Sequence, residues 1–108
     1  MKLRHSLLPI LVCAIRRRTQ AGSLPKRFKL LALRPQLLAE VAEEVEQLAS
    51  QQGEYERLSA FDFDPDDENS LGFVEIIAFV FKHWDVIYPL LIAALALLPR
   101  VLQGEDES

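Results

Sequence analysis

Residues 71–102 read LGFVEIIAFVFKHWDVIYPLLIAALALLPRVL, and the fold turns on whether this run is one helix and on what covers it. It is the longest apolar stretch in the chain, yet Glu75, Lys82 and Asp85 lie inside it, where a membrane span would ordinarily carry no charge. At about 100° per residue, Glu75, Ala78, Lys82, Asp85, Pro89, Ala93, Ala96 and Arg100 fall on one narrow stripe, and Phe, Ile, Leu, Val and Trp cover nearly everything else. The reading is a long hydrophobic helix over 71–102, kinked near Pro89. Its stripe residues Glu75, Ala78, Lys82, Ala93 and Ala96 are expected to form a helix–helix interface, because small side chains permit close approach and ionisable ones need a partner.

Two environments suit such a helix. The charge-free part, Val86 to Pro99, is about 21 Å long at 1.5 Å per residue, short of a hydrocarbon core of about 30 Å. Extended from Trp84 to Leu102 it reaches about 28 Å, with Trp84 and Tyr88 suited to one interface. A window moved back toward Leu71 would place Lys82 and Asp85 deep in lipid, at about +2.5 to +3.5 kcal/mol each. The alternative is a buried helix in a protein assembly. Its difficulty is supply, since the other apolar surfaces, a run from Ser6 to Ile15 and a face from Leu37 to Leu48, look too small to cover it.

The whole chain, at 108 residues, is one domain at most. Its net charge of −4 conceals a division: residues 1–39 carry nine Lys/Arg and no acid, and residues 40–108 carry sixteen acids against three Lys/Arg. The basic half is therefore expected to face an anionic surface or the acidic half of this or another chain. Arg16, Arg17, Arg18, Lys26, Arg27 and Lys29 are the candidate anion-contacting residues. A single cysteine, Cys13, excludes an intrachain disulfide.

Residues 1–34 read as a basic N-terminal arm and linker. A short apolar helix over Ser6–Ile15 is followed by three arginines where a signal peptide needs a small-residue cleavage site; Gly22, Ser23 and Pro25 then break the chain. Residues 35–108 form the helical region. In its first part, Leu38, Val41, Val45 and Leu48 recur at helical spacing with Glu40, Glu43, Glu44 and Glu46 opposite, which predicts an amphipathic helix from Pro35 to about residue 52, ended by Gly53. Residues 54–70 are an acidic, turn-like loop, and Asn69 or Ser70 can cap the helix that follows.

No motif carries chemistry. The alternating Asp62, Asp64 and Asp66 resemble the start of a calcium loop, but Asp67 and Phe73 stand where its glycine and closing glutamate belong. His83 and Asp85 have no nucleophile beside them. Only Phe28 lies near the basic clusters to stack on a base, so any nucleic-acid contact would be non-specific. The expectation is a small all-α, non-enzymatic protein without cofactor or metal. It would be membrane-associated with a cytoplasmic N-terminus, its basic arm on anionic lipid, and serve assembly or scaffolding as a homo-oligomer or with other chains. The alternative is a soluble helical subunit of a larger oligomer or virion-like particle, whose arm contacts neighbours or nucleic acid.

Overall fold

Leu3, Leu7, Ile10, Leu11 and Ala14 repeat at helical spacing from the start of the chain, and the helix they form, α1 (Lys2–Gln20), is the centre of the molecule. The structure is a computed structural model and describes residues 2–61, 63–64 and 66–98. Among these there is no strand, so the chain is all-α: α1 is followed by α2 (Lys29–Ala32), α3 (Ala39–Gln51), α4 (Tyr55–Ser59), α5 (Leu71–Lys82) and α6 (Trp84–Leu95), with 3-10 turns at Lys26–Phe28 and Pro35–Leu38. Helix α1 packs on α2, α3, α4 and α5. Its Leu3, Leu7, Ile10, Leu11, Ala14 and Ile15 are all 1% exposed or less.

This corrects the reading of residues 1–34 as an arm. The first helix is nineteen residues long, and it supplies more apolar surface than the Ser6–Ile15 run alone. Pro9 does not end it, because α1 continues to Gln20. The carbonyl of His5, which loses its usual donor, belongs to an exposed residue where water can serve. At the far end Gly22, at φ +81°, lets the Ser23 N–H reach the Arg18 carbonyl at 2.8 Å and the Gly22 N–H reach Thr19 at 3.1 Å, a Schellman stop. Gly53, at φ +72°, ends α3 in the same way, with the Glu54 N–H on Ala49 at 2.8 Å. Between those stops the expected amphipathic segment is present, first as the 3-10 turn and then as α3. Leu38, Val41 and Val45 are buried and Leu48 is half-buried.

The long C-terminal helix is not one helix. Helices α5 and α6 meet at 87°. The bend falls at His83, not at Pro89, which lies inside α6. His83 leaves the helical region (φ −107°, ψ 28°). Its N–H donates to the Phe79 carbonyl at 3.1 Å and closes α5, and its own carbonyl accepts from Val86 and Ile87 at 3.0 Å each and opens α6. Lys82 thus sits in the last turn of α5 and Asp85 in the first turn of α6, each at the helix end whose dipole favours its charge. Two of the three charges that are anomalous in a membrane span, Lys82 and Asp85, are thus ordinary at two helix ends. The elbow allows α5 to cover α1 while α6 covers α3, burying Phe73, Ile76, Phe79 and Val80 on one helix and Ile87, Leu91, Ala94 and Leu95 on the other. No single described helix is long and apolar enough to cross a membrane; α5 and α6 reach that length and composition only when taken together, as a pair bent by 87°. Residues 99–102, including Arg100 of the stripe, lie outside the described residues.

The acidic loop also holds more structure than expected. Helix α4 forms within it and buries Leu58, and Ser70 caps α5 by accepting the Phe73 N–H at 3.4 Å. Asp64 and Asp67 accept the backbone N–H groups of Asp66 and Asn69 at 3.0 and 2.9 Å. These carboxylates close local turns.

Candidate docking surface

The six cations expected to share an anionic surface are divided among separate tasks. Arg18 lies half-buried over the elbow, its guanidinium 4.8 Å from the centre of the Phe81 ring and 4.9 Å from that of Trp84. Arg17 donates to Glu68 at 2.7 Å and stands 5.9 Å from the Phe73 ring, tying α1 to the acidic loop. Arg27 is half-buried. Arg16, Lys26 and Lys29 are exposed, and of these Arg16 and Lys29 line one shallow hollow of about 360 Å³ with Gln20, Ala32 and Leu33. Leu33 is 71% exposed, the most exposed large apolar side chain among the described residues. Phe28 is wholly buried, stacked on Tyr88 at 6.0 Å, and is not available to a base.

The stripe is divided as well. Glu75 is half-buried and accepts a 2.8 Å hydrogen bond from Arg57, which also donates to Glu54 at 2.6 Å; a pairing of Glu75 with Lys82 across copies is not needed to satisfy it. This guanidinium holds the Glu54 carboxyl below its ordinary range, and the two carboxylates raise the Arg57 pKa further. Ala78 and Lys82 are exposed on α5. Beyond the 87° elbow, Ala93 and Ala96 belong to a different surface, the outer face of α6 and of the turn that follows it, with Val86, Pro89, Ile92 and Leu97, all of them exposed. That face is apolar along its whole length apart from Asp85. Leu97 is 62% exposed and Val86 46%.

Alongside this face, α3 and α6 enclose a groove of about 470 Å³. Leu37, Val41, Leu90 and Leu97 contribute apolar surface to it, and Glu40, Glu43 and Glu44 stand on its α3 side. Those three glutamates are exposed; Glu43 lies 4.0 Å from Arg4. The amphipathic pattern of α3 contained this rim, but its juxtaposition with α6 was not readable, because it depends on where the elbow falls.

A larger concavity of about 770 Å³ lies between α1 and the acidic loop and includes Cys13, Arg16, Arg17 and Glu68. Burial pushes the Cys13 thiol up, and the neighbouring Arg17 only partly offsets it. The thiol is thus protonated near neutral pH and a weak nucleophile. Among the described residues no three His, Cys, Asp or Glu side chains gather in an arrangement able to hold a metal ion. No family model, no curated protein and no solved structure matches the chain.

Proposed function

We propose that the chain is a non-enzymatic helical subunit whose role is assembly, and that it docks another protein chain on the outer face of α6. One observation carries this reading. The inner faces of α5 and α6 are covered by α1 and α3, whereas Val86, Pro89, Ile92, Ala93, Ala96 and Leu97 form a continuous exposed apolar strip. Scattered apolar side chains on a surface need no explanation, but a contiguous strip costs free energy in water and is typical of a partner site. Small residues at Ala93 and Ala96 would let a second helix approach closely, and the acidic α3 rim disfavours an anionic lipid or nucleic-acid partner there. The test is native-complex size: in extracts of cells expressing it, the chain should migrate above its monomer mass of 12.3 kDa, and Ile92→Glu with Leu97→Glu should return it to monomer without lowering the melting temperature of the purified protein. Monomeric migration of the parent would refute the reading.

Membrane association is a second reading, supported by the length and composition of the bent α5–α6 pair and by the exposed Arg16, Lys26 and Lys29, with the N-terminus cytoplasmic. In this reading the pair would have to leave α1 and α3 to enter lipid. Flotation with liposomes that resists alkaline carbonate would support it; recovery of the chain in the soluble fraction at low salt would exclude it.

A further inference from the structure

We infer that the occupant of the α3–α6 groove is a second copy of this chain, entering with the Leu33 knob and its cationic surround. The inference rests on the assembly reading, extends its α6 face across Ala93 and Leu97 into the adjoining groove, and names the partner.

The two surfaces are chemical opposites. The groove is apolar at its base, through Leu37, Val41, Leu90 and Leu97, and anionic on the α3 side, through Glu40 and Glu44. The knob is one strongly protruding leucine, with Arg16 and Lys29 lining the hollow beside it. An exposed leucine among cations fits an apolar groove beside carboxylates, because one contact buries apolar surface and pairs opposite charges at its margin. Within one chain the two do not meet: Leu33 is 71% exposed. The division of charge along the sequence has the same sense, since knob and hollow come from the acid-free residues 1–39 and the rim carboxylates from the residues after them. Anionic lipid or nucleic acid would suit the cations of the knob but not the glutamates of the groove. A foreign basic helix would suit the groove and leave Leu33 exposed.

Both contributing surfaces lie on every copy, so charge reversal can be made on either side and then matched. In sedimentation velocity at low salt, the parent protein should self-associate, and the association should weaken as salt rises. Arg16→Glu with Lys29→Glu makes the knob acidic. Glu40→Lys with Glu44→Lys makes the groove rim basic. Each double variant alone should lose self-association by about tenfold or more, because like charges then face each other. An equimolar mixture of the two should associate again, since each knob then meets a rim of opposite sign. Thermal melting of each variant verifies that folding is retained; should either double variant be unfolded, the single variants Lys29→Glu and Glu44→Lys replace it in the same mixture.

Failure of the mixture to recover association, with both variants folded, overturns the knob-in-groove contact. A parent that stays monomeric when purified but migrates as a complex in extracts overturns self-docking and leaves the assembly reading with a different protein as partner. Association that Leu33→Glu leaves unchanged also overturns the contact.

Discussion

The Arg18 guanidinium lies 4.9 Å from the centre of the Trp84 ring, and this contact joins the end of the first helix to the beginning of the last. Phe81 flanks the same cation at 4.8 Å and meets Trp84 edge to face at 6.0 Å. The three side chains close over the elbow at His83, so the bend is held from the α1 side as well as by its own hydrogen bonds. A cation between two ring faces contributes about 0.5–2 kcal/mol, more as it loses water.

Arg18→Ala should therefore destabilise the protein by about 1–2 kcal/mol in urea unfolding, through the lost cation–π contacts and the lost cover of the side-chain stem. Arg16→Ala, on an exposed position of the same helix, should stay within about 0.5 kcal/mol. Equal effects of the two substitutions would mean that the contact does not hold the elbow.

Leu91 and Ile92 are adjacent on α6 and point about 100° apart: Leu91 is wholly buried and Ile92 is 41% exposed. Leu91→Ala should cost about 2–5 kcal/mol and Ile92→Ala well under half of that, measured on the isolated chain by denaturant unfolding. Near-equal costs would contradict the orientation of α6. One straight helix over 71–102 in a membrane would turn Leu91 to lipid. The elbow turns it into core.

That reversal marks what the sequence could and could not show. The face Leu38, Val41, Val45, Leu48 and the stop at Gly53 were legible because their spacing and the φ > 0 requirement are local. A cap at Asn69 or Ser70 was legible for the same reason, and Ser70 is the one that forms. The elbow was not, since His83 is neither proline nor glycine, and the apolar period runs across it without a gap; Lys82 and Asp85 at opposed helix ends were the available signal. The central role of α1 was not legible, because the acid-free, arginine-rich sequence around the Ser6–Ile15 run pointed to an arm on an anionic surface. Arg17 and Arg18 are held by Glu68, Phe81 and Trp84, contacts to residues more than fifty positions away, and periodicity carries no information at that range.

Acid should weaken the ion pair at the start of α4. Because Arg57 hydrogen-bonds the Glu54 carboxyl, its folded pKa lies below the ordinary value of 4.5. The folded protein then binds fewer protons there than the unfolded chain does. The resulting stability is present above that value and is lost as pH falls through the lower folded one. The ion pair is partly exposed, so the effect is small. The loss of stability between pH 6 and about pH 3 should be smaller in Glu54→Gln than in the parent, as read from urea midpoints. An identical acid profile for the two would show that the pair does not contribute.

The central claim is that the outer face of α6 meets protein, and photo-crosslinking from that face tests it most directly. With a photoreactive residue at Ala93, irradiation of cells expressing the chain should give discrete protein adducts, and the same residue at Gln52, exposed at the end of α3, should give none. Protein adducts from position 93 alone are the predicted result; lipid adducts only, or equal labelling from both positions, would contradict the account.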